Sequence, residues 1–303
     1  MKYLVTGGAG FIGTNLTIEL LKQGHQVRIF DNYAGGKMPE RVQPGVEYVE
    51  GDIRNRATLD GAMEGIDGVF HMAALPRVTY SVENPELTHD VNVNGTLNVL
   101  LAARDAGVKR VVFSSSSSAY GDQEVYPLKE DGVEKKPIAP YALHKLIGEH
   151  YCRLFAELYN LQTVSLIYFN VYGPLCDPNG AYALVIGRFL QQRKNGEPMT
   201  VCGDGEYFRD YTHVSDVARA NILAMTKDTV GHGETINVGN QDPHSVNEIV
   251  KMIGGESVFV PPRPGDMRYT KADSSKAKEL LGWEPTLTLQ EGINMLKKEW
   301  GLE

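Results

Sequence analysis

The first half of the chain alternates short apolar runs with segments whose apolar residues recur at helical spacing. This pattern predicts strands at residues 3–5, 26–30, 46–50, 68–71, 110–114 and 163–168, and helices at 11–23, 87–106 and 141–159. The strands at 68–71 and 110–114 are almost wholly apolar, as strands buried on both faces are. Strands that alternate with helices favour a parallel sheet with helices on both sides.

The pattern becomes less regular after Asn170, where proline and glycine interrupt it more often. Helices are still expected at 274–281 and 289–300. We therefore expect a first domain over residues 1–169 and a smaller lobe over 170–303. Residues of about 210–240 are expected to return from that lobe to the first domain.

Composition narrows the class of protein without identifying it. The chain has 303 residues, 42% hydrophobic and 22% charged, with a formal charge of −8. These values fit a folded globular protein and exclude disordered, collagen-like and disulfide-stapled chains. An acidic chain has no overall attraction for nucleic acid or anionic membranes, so neither is an expected partner.

The apolar runs and cysteines point to a cellular location. The apolar start of the chain is too short for a signal peptide, and no run is long enough to span a bilayer. Three widely spaced cysteines, Cys152, Cys176 and Cys202, predict free thiols, and no cysteine–histidine spacing suggests a metal site. We expect a cytoplasmic protein without a bound metal.

A glycine-rich turn joins the first strand to the first helix. Its sequence, Gly7-Gly8-Ala9-Gly10-Phe11-Ile12-Gly13, lets the backbone approach a diphosphate, which the helix N-terminus then attracts. Asp31 ends the second strand, where a carboxylate can accept both ribose hydroxyls of NAD and repel a 2′-phosphate. Asp31-Asn32 is also good turn chemistry. The context favours NAD and an α/β fold of the Rossmann type, a doubly wound parallel sheet.

Two further strand ends are candidates for cofactor contact. Asp52 and Ile53 follow the third strand, where they either meet the adenine edge or start a helix at Asn55, and the sequence leaves both open. Met72, Ala73 and Ala74 follow the fourth strand and allow close approach of a cofactor. The preceding His71 is expected to be a hydrogen-bonded core histidine.

Tyr141 and Lys145 are four residues apart and so share one face of the predicted helix. A neighbouring ammonium and a positive nicotinamide both favour the phenolate, so the pKa of Tyr141 is expected to fall from near 10 toward neutrality. Tyr141 then becomes a usable base. The pair could also be an ordinary surface pair, but its place after a nucleotide-binding turn favours catalysis. His144 is expected to be solvated.

At this point the chain resembles a family, the extended short-chain dehydrogenase/reductases, and among them the NAD-dependent UDP-hexose 4-epimerases. The resemblance rests on the glycine motif, Tyr141-x-x-x-Lys145, the serine run before Tyr120-Gly121, and the segments 168–174, 209–214, 263–266 and 272–273. It implies reversible epimerisation of a UDP-hexose at C4 through a 4-keto sugar, with NAD bound throughout.

The resemblance also implies roles for single residues. Ser116 would hydrogen-bond the sugar O4, which leaves the other serines of the run as backbone-satisfying neighbours, and Phe169 would lie near the nicotinamide. Asn170 would hold the diphosphate or uracil side of the substrate, Arg209 and Arg263 would hold the diphosphate, and Asp266 the uridine ribose. The substrate-binding set that the resemblance implies is Ser116, Tyr141, Asn170, Val185, Arg209, Arg263, Asp266 and Thr270. Its catalytic members are Ser116 and Tyr141, together with Lys145.

Positions at which this chain differs from other members of the resembled family help to distinguish epimerisation from dehydration and decarboxylation. Sugar-nucleotide dehydratases and decarboxylases carry acids just after the catalytic hydroxyl, whereas this chain has Ser117 and Ser118. Another nucleotide-sugar oxidoreductase and a non-catalytic NAD sensor are the alternatives to an epimerase. Thr270, a small residue at a position that lines the sugar pocket in the family, predicts acceptance of N-acetylated as well as plain hexoses. The resemblance further implies a homodimer through the helices at 87–106 and 141–159.

Overall fold

A seven-stranded sheet, parallel throughout, forms the centre of the protein in a computed structural model that describes residues 1–178, 185–261 and 268–302. The strands are β1 (Lys2–Thr6), β2 (Gln26–Asp31), β3 (Glu47–Glu50), β4 (Gly68–His71), β5 (Arg110–Ser116), β6 (Gln162–Tyr168), β7 (Val171–Tyr172), β8 (Met199–Cys202), β9 (Phe208–Asp210), β10 (Thr212–His213), β11 (His232–Val238), β12 (Pro243–Ser245) and β13 (Ser257–Val260). The sheet order is β11-β6-β5-β4-β1-β2-β3, so the chain winds outward from β1 in both directions.

Helices cover both faces of this sheet. They are α1 (Phe11–Lys22), α2 (Arg56–Ala62), α3 (Val78–Glu83), α4 (Pro85–His89), α5 (Gly95–Asp105), α6 (Pro140–Tyr159), α7 (Val185–Lys194), α8 (Val214–Thr226), α9 (Val246–Ile253), α10 (Ser275–Leu281) and α11 (Leu289–Trp300). Successive residues of β1 serve different cores: Tyr3 and Val5 pack in the core with α1 and α8, and Leu4 in the core with α2, α5 and α6. The expected Rossmann-type fold is confirmed.

The long helix expected over residues 87–106 forms, but its α-helical hydrogen-bond pattern is interrupted near the middle. It begins at Pro85 and ends at Asp105, with a π-helical turn at Asp90–Asn94 between α4 and α5. Within that turn the Asn92 side chain accepts from the backbone N–H of Leu75 at 2.8 Å and donates to its carbonyl at 3.1 Å. The turn therefore ties this helix to the loop that follows β4, where cofactor contacts are expected.

The later part of the chain returns to the sheet and also builds a second core. The α8 helix packs on α1, and β11 pairs with β6 at the edge of the sheet. Sequence patterns missed β11 because glycine and polar residues interrupt its apolar positions. A separate core forms between α7, α9 and α11, and includes Phe189, Ile249 and Ile293. The domain division at residue 169 stays a prediction.

None of the helices within the described ranges is long and apolar enough to cross a membrane.

His71 is the buried, hydrogen-bonded core histidine that was expected. Its Nδ1 lies 2.8 Å from the hydroxyl of Thr6 and its Nε2 lies 2.9 Å from that of Thr96. Burial, helped by the charge of Lys145, lowers the pKa of His71 to about 3. The imidazole is therefore neutral in the folded protein at every pH above that value.

This neutral imidazole predicts a loss of stability on acidification. Its folded pKa lies below its unfolded value, so unfolding takes up a proton between the two and stability falls as the pH drops below about 6.5. Between pH 7 and pH 5 His71 alone should cost about 2 kcal/mol of unfolding free energy. Urea unfolding at both pH values measures this. His71→Asn should lose that part of the pH dependence and the exposed control His232→Asn should keep it; equal pH dependence in all three proteins would contradict the assignment.

Candidate active site at the carboxyl ends of the strands

The glycine turn between β1 and α1 leaves room for a ligand but not for side chains. Gly7 has a φ of +70°, and a Cβ on it would lie 2.7 Å from the backbone nitrogen of Ala73. A Cβ on Gly13 would lie 2.6 Å from the Gly7 carbonyl oxygen. Gly10 precedes α1 without a side-chain cap, so N–H groups of the first turn stay available for a diphosphate. This cradle fits the dinucleotide that the sequence predicts.

Asp31 lies against this turn and orders it. Its Oδ2 accepts from the backbone N–H of Ala9 at 3.0 Å, and its Oδ1 accepts from that of Tyr33 at 2.7 Å. Burial raises the pKa of this carboxyl group, while both backbone hydrogen bonds oppose the rise. Asp31 therefore performs the turn role, and its contact with the cofactor ribose stays a prediction.

The sequence left open whether Asp52 and Ile53 meet the adenine edge or start a helix at Asn55, and the segment after β3 answers part of that question. Asn55 caps α2, and its side chain accepts from the backbone N–H of Thr58. Asp52 instead pairs with Arg54 at 2.8 Å, which lowers the pKa of its carboxyl to about 2, and accepts a hydrogen bond from Asn32 at 3.0 Å. Asp52 thus stays beside the loop of Asp31, whereas the Ile53 side chain is buried in the core.

The predicted contacts after β4 lie across the glycine turn. The backbone N–H groups of Met72 and Ala73 donate to the carbonyl and the hydroxyl of Thr6, at 3.1 and 3.3 Å. Ala74 follows them, and all three residues are partly exposed. The glycine turn, Asp31 and this strand end therefore form one continuous edge.

Helix α6 brings Tyr141 and Lys145 onto the end of β5. The Lys145 ammonium donates to the carbonyl of Ser114 at 2.7 Å, and its Nζ lies 5.9 Å from the ring centre of Tyr141. The Ser116 hydroxyl lies beside that of Tyr141 and acts to lower its pKa. Gly148 allows the close approach, because a Cβ there would lie 2.4 Å from the Phe113 ring. The three predicted catalytic side chains thus meet at one point.

The expected fall in the Tyr141 pKa is not produced by the residues of this chain. Burial raises the pKa of Tyr141 to about 12, and the neighbouring Ser116 hydroxyl offsets only part of that rise. Burial also lowers the pKa of Lys145 to about 8. The expected fall relied on a bound nicotinamide as well as on the ammonium, so it stays a prediction for the NAD-bound protein.

Two smaller expectations about neighbouring residues are wrong. His144 is buried against His89 rather than solvated, and burial lowers its pKa to about 4. Three of the four serines around Ser116 bond other side chains rather than the backbone. Ser114 bonds Tyr168 at 3.0 Å, Ser115 bonds Glu149, and Ser118 bonds Ser116 at 2.9 Å. The repeat of one residue type gave no sign of these different partners.

Three predicted substrate residues line one cavity of about 210 Å³, namely Asn170, Val185 and Arg209. Arg188 joins them and was missed, because its position on α7 shows only in the folded chain. Among the described residues that line the cavity there are two arginines and no carboxylate. The cavity therefore favours an anionic ligand.

Other predicted residues are less accessible. Thr270 is buried, and its hydroxyl accepts from the backbone N–H of Asp210 at 3.3 Å and from the Asn170 amide at 3.4 Å. The Phe169 side chain is wholly buried against Tyr120, and its expected place near the nicotinamide stays a prediction. Arg263 and Asp266 lie outside the described residues.

Two side chains tie the segment after β7 to the first helix and its neighbouring loop. The Asn15 amide donates to the carbonyl of Pro174 at 3.0 Å, and the Arg41 guanidinium donates twice to that of Leu175, at 3.1 and 2.7 Å. Leu175 has a φ of +64°. These residues were missed because their partners lie more than a hundred positions away in the sequence.

Comparison with known proteins identifies the family. The model of the NAD dependent epimerase/dehydratase family matches residues 3–239. The chain belongs to this family. NAD is therefore its cofactor, as predicted, and the resemblance to NAD-dependent sugar epimerases is confirmed.

Three similar proteins show the range of reactions and sugars. UDP-glucose 4-epimerase from Thermotoga maritima, solved with UDP-glucose, is 38% identical with a TM-score of 0.93, and the match covers 100% of both chains. UDP-N-acetylglucosamine 4-epimerase from Methanobrevibacter ruminantium, solved with UDP-N-acetylmuramic acid, is 34% identical with a TM-score of 0.90 and covers 98% of each. UDP-glucuronic acid decarboxylase 1 from Xenopus tropicalis is 32% identical, over 97% of this chain and 70% of that protein.

Asp31 gives a direct prediction about cofactor choice. Asp31→Asn keeps the side-chain size but removes the charge that repels a 2′-phosphate, so the preference for NAD over NADP should narrow by about tenfold or more. Calorimetric titration of cofactor-free protein with both dinucleotides measures it. Glu19→Gln, on α1 and paired with Lys22, is the matched control and should leave the preference unchanged. Equal affinities in wild type would contradict the role of Asp31.

Proposed function

We propose that this protein catalyses the reversible epimerisation of a UDP-hexose at C4. The observation that carries the proposal is the meeting of Tyr141, Lys145 and Ser116 where α6 packs on the end of β5. The NAD-binding edge ends beside that point, because β4 and β5 are neighbours in the sheet. A proton acceptor, a hydroxyl relay and a redox cofactor are what oxidation of a sugar carbinol requires.

In the proposed mechanism Tyr141 takes the proton of the sugar 4-hydroxyl and later returns it. Ser116 holds the same oxygen and the Tyr141 hydroxyl together. Lys145, fixed on the Ser114 carbonyl, keeps a positive charge near the phenolate. NAD, when bound, supplies the reversible hydride exchange at C4 and a positive ring that offsets the desolvation of Tyr141.

The cationic cavity supports a nucleoside diphosphate sugar as the substrate. Arg209 suits a diphosphate because a guanidinium donates two parallel hydrogen bonds to phosphate oxygens. Asn170 and Val185 complete the predicted contacts on the described side of the cavity. UDP is the proposed nucleotide, since the Thermotoga maritima and Methanobrevibacter ruminantium relatives were solved with UDP-sugars.

We include N-acetylated hexoses in the proposed substrates. The Methanobrevibacter ruminantium relative is named as an epimerase of such a sugar. Thr270 is small and contacts Asn170, which lines the cavity. We predict that the size of residue 270 decides whether an N-acetyl group is accepted, and that it acts through Asn170. UDP-glucose, UDP-galactose, UDP-N-acetylglucosamine and UDP-N-acetylgalactosamine form the proposed set.

Decarboxylation is the second candidate, because a relative from Xenopus tropicalis is named for it. The turn after β5 argues against it, since Ser117 and Ser118 offer no acid there and Ser118 is bonded to Ser116.

The deciding experiment incubates the protein with UDP-glucose, UDP-N-acetylglucosamine and UDP-glucuronate, with products identified by NMR. An epimer formed without loss of carbon supports the proposal. If UDP-glucuronate is the one substrate converted, and UDP-xylose is its product, decarboxylation would replace epimerisation as the function.

We also propose that two copies of the chain associate, in the cytoplasm. Leu143, Leu154 and Leu158 are exposed along α6, and Leu87 of α4 is exposed as well. Part of the apolar surface of the predicted helix over 87–106 is unavailable for this contact, because Val91 and Leu100 are buried within the chain. Light scattering at micromolar concentration should give twice the chain mass of 33.4 kDa, and the mass of one chain would contradict the proposal.

The proposed base gives a further prediction. Tyr141→Phe removes the proton acceptor while keeping the ring, so turnover should fall by about 10³-fold or more, with bound NAD retained. Product formation and the NAD content of the purified protein measure the two effects. Tyr159→Phe, at the exposed end of the same helix, is the control and should behave as wild type. A Tyr141 variant with most of its activity would refute the assignment.

A further inference from the structure

A buried carboxylate lies one helical turn beyond Lys145. Glu149 is 4% exposed, and the proposed chemistry does not use it. One of its oxygens accepts from the Ser115 hydroxyl, and the other pairs with the ammonium of Lys135. A buried charge is costly unless it is paired and hydrogen-bonded, and here both conditions hold.

Glu149 extends the contact between α6 and β5 by one more residue. Tyr141, Lys145 and Glu149 follow each other at intervals of four, so they share one face of α6. That face meets three consecutive residues at the end of β5: Tyr141 lies beside Ser116, Lys145 donates to the Ser114 carbonyl, and Glu149 accepts from the Ser115 hydroxyl. Each of these three residues thus lies next to a different side chain of one helix.

The carboxylate also reaches the segment that joins β5 to α6. Lys135 belongs to that segment, and its ammonium lies 5.2 Å from the ring centre of Tyr120, just after the serine run. Glu149 therefore connects the strand end, the segment that leaves it and the helix that carries the proposed base. Removing it would free Ser115 and leave Lys135 without its buried anion.

We infer that Glu149 is a positioning residue for the epimerisation, which holds Ser115 and Lys135 so that Ser116 and Lys145 keep their places around Tyr141. The inference rests on the proposed function. Glu149 acts through its neighbours and touches neither the sugar nor the cofactor in this role.

The charge of Glu149 adds an effect that packing alone would not have. This negative charge raises the pKa of Lys145, although burial lowers the same pKa by more. The other titratable groups around Lys145 are uncharged near neutral pH, because burial lowers the pKa of each histidine and raises the pKa of the thiol and of the phenol. These groups are His71, His144, Cys152 and Tyr141. Glu149 is therefore the anion, among the described residues, that keeps Lys145 protonated.

The test compares Glu149→Gln with Glu157→Gln in the NAD-bound protein. Gln keeps the size and an acceptor for Ser115 but removes the charge, whereas Glu157 is exposed on the same helix and paired with Arg153 at 2.7 Å. Glu149→Gln should lower kcat by about ten- to a hundredfold through misplacement of the reacting groups. KM should stay within about twofold and bound NAD should be retained, because substrate and cofactor contacts are intact.

The pH dependence separates positioning from mere packing. Loss of the anion lowers the pKa of Lys145, so the alkaline limb of kcat should move down by about one pH unit in Glu149→Gln. NMR of the protein with carbon-13-labelled lysine should show the same shift in the Lys145 titration without substrate, with the signal assigned from Lys145→Met. Glu157→Gln should leave both unchanged.

The inference would be overturned by wild-type kcat with an unmoved Lys145 midpoint in Glu149→Gln, or by a loss of activity explained by loss of NAD or of folding. Ser115→Ala, which keeps the ion pair, should lower kcat without moving the Lys145 midpoint, and wild-type kcat in it would equally contradict the role. The lysine titration needs no substrate. A wild-type protein that converts none of the UDP-hexoses would therefore refute the proposed function and leave the assignment of Glu149 to be judged by that titration.

Discussion

The packing of α6 on the end of β5 is the contact on which the site depends. A buried lysine on this helix finds its partner in a backbone carbonyl of the strand, so the ammonium is held without a carboxylate at the reacting centre. Gly148 makes the approach possible, since any side chain there would strike Phe113. The same contact places a phenol, an ammonium and a hydroxyl together, and the phenol and the ammonium are buried.

Burial at this contact has two opposite consequences. It fixes the geometry, and it also opposes charge, raising the pKa of Tyr141 to about 12 and lowering that of Lys145 to about 8. The chain alone therefore does not make a base that works at neutral pH. A positive cofactor ring would restore the phenolate, so the reactive state of Tyr141 is coupled to cofactor binding.

Local signals in the sequence were enough for six of the seven strands of the sheet, all but β11, and for the prediction of a cofactor edge. The glycine spacing, Asp31 and the interval from Tyr141 to Lys145 all lie within single turns or single helices, where spacing fixes geometry. Ser116 came from resemblance, not from spacing. Asn15, Arg41 and the Thr270 contacts depend on pairs brought together only by the fold, and Glu149 was missed although it continues the interval of four on the same helix face.

The most direct measurement is the fate of hydrogen at C4. UDP-glucose carrying deuterium at C4 is incubated with the purified protein in ordinary water, without added dinucleotide, and the UDP-galactose formed is examined by NMR. The account predicts that the product keeps the deuterium at C4 with the opposite configuration. Deuterium lost to water, or inversion that requires added dinucleotide, would contradict it.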